Sequence, residues 1–523
     1  MKMNIIKYLF IIFVISLIGL AVYILYKDGD TKAFDMGSGK RPLEIFSDIT
    51  IGITKYDTMN PVLSKSKDVQ YISKLMFDSL MTVTNDYRIE NALSEECVRL
   101  TPTIYLVKLK TDKTWHDGKE LVAHDVKFTI DNLRSMESDS IYKENVQKIS
   151  NVEIIDKYTL KIYLEEETPF FEYMLTFPIL SIDNYEEGTL ECKTDFPIGT
   201  GNYRITDIKD GKIELEKRNS DLDLKIEKIH INVYASQSIL YRAITRGDID
   251  LIVTSNINYE IHTGKLGINE NISQDREFDY IIINTNNKTL SDPNVRKAIN
   301  YAINKKDIVY NVHMNKYIPC KFPIDYGSYL YNTEQEEIGY NLIKTKEALT
   351  ESGWEYKNRT WVKSNDNGIL DFDLVVNEKN EKRVEVAENI RSQLATIGIK
   401  IRIRRVNDIT FENYLINKDY DLILTGNISP IFPDLNTYLG PDNLSNYEKE
   451  EVLEIISEVG TIQNQEILEE KYKRLIEIYN EDMPFISLYF NSNIILYKSN
   501  LKGNLEHNWY NLFYNIGGWY RIN

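Results

Sequence analysis

Residues 8–26 read YLFIIFVISLIGLAVYILY, 19 residues without a charged side chain. Such a run has few possible fates, because in lipid every backbone donor and acceptor must be paired, and an α-helix does this within a single segment. At ~1.5 Å per residue a helix of that length spans roughly the hydrocarbon core of a bilayer. A buried core helix is the weaker alternative, since the segment is terminal and apolar on every face. A cleaved export signal is the rival. Its apolar run is usually shorter and ends in small residues, which Ala21, Val22 and Tyr23 do not supply. The run is therefore expected to be an uncleaved single-pass anchor over residues 8–26, after a cytoplasmic segment 1–7 and before a polar, Gly-containing linker, 27–42. Lysines flank it on both sides (Lys2 and Lys7, then Lys27, Lys32 and Lys40), so basic residues give no clean orientation. An export signal at the start of a chain leaves the long remainder outside. The expected location is thus the cell membrane, with the large domain extracytoplasmic, in a bacterium of Gram-positive type.

The remainder reads as globular. With 523 residues, 42% hydrophobic and 27% charged, the chain is long enough for two or three cores and is neither a disordered nor a polytopic membrane sequence. A net charge of −17 repels phosphate backbones, which argues against a nucleic-acid partner. Cys97, Cys192 and Cys320 are too few and too scattered for a disulfide framework, and the six histidines form no zinc spacing. No metal site, cofactor or enzyme is expected, because nothing in the sequence combines nucleophile, base and orienting group.

From Leu43 onward, segments with strand and helix periods alternate, as in an α/β chain with more than one sheet. Residues 104–109 (IYLVKL) predict a strand running toward the turn dipeptide Asp117-Gly118, and residues 152–164 predict a hairpin around Asp156-Lys157. Val384, Ala387, Ile390, Leu394 and Ile397 recur at spacings of three and four, a helix ended by Gly398 and followed by a strand over 399–403. Leu468, Tyr472, Leu475 and Tyr479 mark a later helix. The WHDG stretch at His116 invites a catalytic reading but favours a turn in which His116 packs or hydrogen-bonds locally. Gly199-Thr200-Gly201 lacks the spacing of a phosphate cradle and reads as a tight structural loop.

Eight segments, in order, resemble one family, the large extracellular solute-binding proteins of oligopeptide, dipeptide and nickel ABC importers (family 5). They are Met59-Asn60-Pro61 with residues 75–80 (LMFDSL), 106–128 (LVKLKTDKTWHDGKELVAHDVKF), 197–203 (PIGTGNY), 240–250 (LYRAITRGDID), 280–308 with its Val295-Arg296 helix, 340–354 and 387–403. The resemblance implies a two-lobed periplasmic-binding-protein-like α/β fold of class II type. It is large and carries an extra subdomain in lobe I. Lobe I would take residues 43–275, with the subdomain inserted at about 72–195, and lobe II residues 276–486; residues 487–523 would return to lobe I. It implies capture of a peptide or peptide-like solute by hinge closure and delivery to permease and ATPase subunits. A ligand-sensing receptor of the same fold, or a binder of a nickel chelate, is the alternative.

By the same resemblance, the cleft walls are Lys65-Ser66-Lys67 and the segment after the strand 420–425, namely Gly426, Asn427, Ile428, Ser429, Ile431 and Asp434. In peptide binders that second segment carries an Asp that pairs with the peptide's α-amino group. Matching Phe432-Pro433-Asp434 to the family's YPD puts Ile431 in its place, with Asp434 as the substitute if the match slips. A buried ammonium against Ile431 has no partner, so the ligand is expected to be a blocked or modified peptide, a peptide held in another register, or a non-peptide solute. Lys65 and Lys67 invite an anionic group, although solvated loop lysines explain them as well.

Overall fold

Two long strands, Ile268–Ile283, polar at its start and apolar at its end, and the largely apolar Phe485–Lys498, organise the chain. Both are too long for the strand of one small sheet, and in the computed structural model they pair antiparallel along nearly their whole length. The structure describes residues 45–135, 140–219, 222–264, 267–331, 339–363 and 368–522. The expected anchor at 8–26 and its linker lie outside these, and among the described residues no helix is long and apolar enough to cross a membrane. Phe46–Arg521 form one compact unit, which carries every element below.

Around the paired long strands an eleven-stranded sheet extends both ways among the described residues. On one side lie Leu422–Ile428, Asp371–Asn377 and Lys400–Val406, mutually parallel and joined by helices such as Glu381–Thr396. On the other lie Leu251–Thr254, Asp48–Thr54 and Lys228–Tyr234, then an antiparallel meander to Tyr203–Lys209. Each half buries its own core. The first gathers Ile49, Trp115, Phe177 and Trp519, the second Phe278, Leu374, Tyr472 and Phe485. This is the two-lobed α/β architecture. A separate four-stranded sheet, in the order Ser94–Thr101, Ile104–Leu109, Thr159–Leu164 and Ile149–Ile154, belongs to the first core. The second core takes in Val83, Phe170 and Tyr173 from near that small sheet, so the two halves touch directly beside the cleft.

The family motifs do structural work here. His116 Nε2 bonds the Gly201 carbonyl at 3.0 Å, and the Gly199 N–H donates to His116 Nδ1 at 3.2 Å. One side chain thereby ties the WHDG turn to the PIGTGNY loop, 85 residues away, rather than to its own neighbourhood. Burial pushes this imidazole down to about 4, so it is neutral and serves as donor on one nitrogen and acceptor on the other. Gly199 and Gly201 lie so close to the backbone of Leu75 and Met76 that a side chain on either would strike a carbonyl or its carbon. Asp292 accepts from the Asn294 N–H at 2.9 Å and caps the Pro293–Ala302 helix, with Pro in its first turn. Arg296 in that helix is buried. Its guanidinium spends its donors on the carbonyls of Leu290, Ser291, Asp482 and Met483, which fixes the helix against the end of Gln465–Asp482.

Candidate functional site

Charged residues do not suit the middle of a central strand, yet Asp275-Arg276-Glu277 interrupts Ile268–Ile283. The ladder breaks there. Gln274 pairs with Ser492 and Phe278 with Phe490, so three residues stand opposite Asn491 alone. Such a bulge bends the strand and re-aims its side chains. Asn491 Nδ2 donates to the Glu277 carboxylate across the break, while Asp275 and Arg276 line a cavity of about 60 Å³.

Four other parts of the chain close this cavity. Tyr87 and Tyr173 come from near the small sheet, residues 323–330 from the loops after the Lys305–His313 helix, residues 429–434 from the end of Leu422–Ile428, and Trp509 from the C-terminal segment. Each has a local reason for its position. Ser429 extends the ladder by one bond, its N–H donating to the Arg276 carbonyl at 2.8 Å. Tyr472 donates its hydroxyl to the Pro433 carbonyl. Phe432 stacks on Phe170 with ring centroids 5.5 Å apart, a contact between the two halves of the molecule. Asn508 donates to the Thr84 carbonyl at 2.9 Å and accepts from the backbone of Tyr510 and Asn511, a turn that presents Trp509 to the stacked ring of Tyr87, 5.5 Å away.

The cavity's polar groups are few and mostly engaged. Arg276 donates through Nε to the Ser429 carbonyl at 2.7 Å and lies over the Trp509 ring. Asp275 faces Lys67, 3.8 Å away. Asp434 accepts from the backbone and side chain of Asn436 at 2.9 and 2.7 Å. Two buried oxygens on the lining have no hydrogen-bond partner, Ser429 Oγ and Asp325 Oδ2. Burial pushes the Asp325 carboxyl up to about 6, opposed by Tyr87, the Gly327 N–H and Trp509.

The expected site residues divide sharply against this geometry. Ser429, Ile431 and Asp434 line the cavity, and Ile431 presents an apolar side chain packed against the second core. Gly426, Asn427 and Ile428 do not. The strand expected to stop at residue 425 continues to Ile428, and these three pair with Asp279, Phe278 and Glu277. Gly426 is there because a side chain would run into the ion pair of Arg383 with Asp279, whose atoms lie 2.7 Å apart. Asn427 accepts from the Tyr438 hydroxyl, and Ile428 points to solvent. Lys65, Ser66 and Lys67 are absent from the lining. Lys65 donates its backbone N–H to Asp57, Ser66 is the residue before the Lys67–Met76 helix, and only Lys67 approaches the cavity, through Asp275. Tyr87, Tyr173, Asp275, Arg276, Asp325 and Trp509 were not foreseen. Two of them, Asp275 and Arg276, left a trace in the sequence, since three successive charges in a strand leading into an apolar run mark a break in the pattern.

A cleft between two α/β halves, crossed by two strands and lined by aromatic rings with a few convergent polar groups, defines a solute-binding protein. Residues 92–449, more than half of the chain, match the bacterial extracellular solute-binding proteins, family 5 Middle, and the chain belongs to that family. It is 25% identical over 505 residues to the oligopeptide-binding protein AppA of Bacillus subtilis, covering 90% of this chain and 91% of that one. Among solved structures, NikZ from Campylobacter jejuni in complex with Ni(L-His) superposes with a TM-score of 0.57 at 23% identity, over 90% of this chain and 99% of NikZ. The unliganded open form of MppA, a periplasmic murein tripeptide binding protein, superposes at 0.77 and 16% identity, over 92% and 98% of the two chains. Both likenesses bear on the fold alone.

Proposed function

We propose that this chain is the extracytoplasmic substrate-binding component of an ABC importer, tethered through residues 8–26, which closes on a peptide or peptide-like solute in the cavity lined by Asp275, Arg276, Ser429 and Ile431. The observation that carries the reading is the coincidence of cavity and crossing point. The bulge at 275–277 supplies two lining residues and is also where the chain passes between lobes, so a ligand touching it is coupled directly to the hinge. The lobes of this reading are residues 43–275 with 487–523, and residues 276–486. An extended peptide suits the walls. Aromatic rings offer contact at low entropy cost, and the unpartnered Ser429 hydroxyl supplies a hydrogen bond to its backbone. Transfer to permease and ATPase subunits is the remaining step.

Native mass spectrometry of the purified chain, followed by denaturation and sequencing of what is released, tests this. A bound peptide pool is expected on the wild type, and little on Ser429→Trp, which fills the cavity. A wild type that carries no peptide, or a Ser429→Trp variant that carries as much, would contradict it.

A further inference from the structure

The cavity has a charge that its own residues do not balance. Its charged lining residues are Asp275, Arg276, Asp325 and Asp434, three acids and one base. The base is committed, with Nε on the Ser429 carbonyl and its plane over Trp509. Two of the acids are committed as well, Asp275 toward Lys67 and Asp434 to the turn at Asn436. Asp325 differs. The Gly327 N–H donates to its Oδ1 at 3.2 Å and the Tyr87 and Trp509 side chains interact with the carboxylate, but its Oδ2 is buried without a hydrogen-bond partner. Tyr87 and Trp509 approach this carboxylate without bringing Oδ2 into hydrogen-bond geometry, and among the described residues no lysine or arginine is paired with it. A buried carboxylate oxygen left in this state costs stability that an apolar group would not cost, and a cation delivered by a ligand removes the penalty. Beside it lie the stacked rings of Tyr87 and Trp509, which wall this end of the cavity.

We propose that this cavity selects a solute bearing a cationic head, an ammonium or guanidinium, seated on Asp325 and the Tyr87–Trp509 pair, in place of an acid at Ile431. The inference rests on the reading of this cavity as the solute site and adds which solutes it prefers. The cation of a peptide has two sources, its α-amino end or a basic side chain, and both offer the same N–H donors to Asp325.

Three synthetic tetrapeptides separate the sources. One is N-acetylated with a lysine, one carries a free amine with norleucine replacing that lysine, and one is N-acetylated with norleucine and has no cation. Calorimetric titration of each into the full chain is expected to show the charged peptide bound at least ~10-fold more tightly than the uncharged one, as for a hydrogen bond to a charged group. The peptide showing the gain identifies the source of the cation. Asp325→Asn should erase the ratio between charged and uncharged peptides, and Asp325→Glu should restore part of it. Thermal unfolding of each variant confirms that it is folded. Equal affinities for all three peptides, or a preference that survives in folded Asp325→Asn, would overturn the proposal while leaving peptide capture intact. Failure of all three peptides to bind would remove the peptide reading and this one together.

Discussion

A methyl group placed on Gly426 runs into Asp279, Arg383 and the Phe278 carbonyl, the buried ion pair at the heart of the second lobe. Burial works against the charge of Arg383, and the Asp279 carboxylate more than offsets it, raising the guanidinium's already high pKa. Tyr489 adds a hydroxyl to Asp279 at 2.9 Å. The pair is therefore satisfied and intolerant of displacement. Gly426→Ala is expected to destabilise the protein by about 1–3 kcal/mol, the usual cost of overpacking a filled core. Chemical denaturation checks this, and an unchanged midpoint would mean that the glycine is not held by this contact. Resemblance had placed Gly426 on a cleft wall, whereas the structure assigns it to strand packing. Ile431 is on the lining of the cavity and brings no charge with it.

Among the elements, those whose cause is local were legible. The strand at Ile104–Leu109 coincides with its apolar alternation, and the helix Glu381–Thr396 carries the predicted stripe and ends before Gly398 at φ 86°. The hairpin at 152–164 forms with its first strand starting at Ile149. The strand Leu422–Ile428 outran its expected end because Gly426 and Asn427 read as turn residues, while pairing with the long strand Ile268–Ile283 held them extended. The cavity was legible only on the 429–434 side. Its other walls come from Tyr87, Asp325 and Trp509, residues hundreds of positions apart, whose convergence no periodicity encodes. The loop 429–434 also joins the lobes, through Phe432 on Phe170. An offset aromatic stack is worth about 0.5–1.5 kcal/mol beyond its buried area. Phe432→Ala should therefore weaken ligand affinity up to ~10-fold with little change in the lobe's own unfolding. Calorimetry and thermal denaturation of the same sample separate the two effects.

At the scale of the molecule, the two antiparallel strands Ile268–Ile283 and Phe485–Lys498 let the lobes share one sheet, and the ladder between them is broken at the bulge Asp275–Glu277. A second polar cluster lies along the same strands. Lys316, almost wholly buried, donates to Glu270 at 2.6 Å, Glu260 at 3.2 Å and the Tyr259 hydroxyl at 3.1 Å, which ties the loop after Lys305–His313 to the start of the first crossing strand. In the proposed function a peptide-like solute lies against this bulge, between the lobes. Photo-crosslinking tests it most directly, with a peptide pool carrying a benzophenone side chain, followed by mapping of the adducts on the full chain. Adducts are expected to concentrate on residues 274–276, 323–330, 429–434 and 509 and to be competed away by unlabelled peptide. Adducts spread over the outer faces of the lobes, or insensitive to competition, would contradict it.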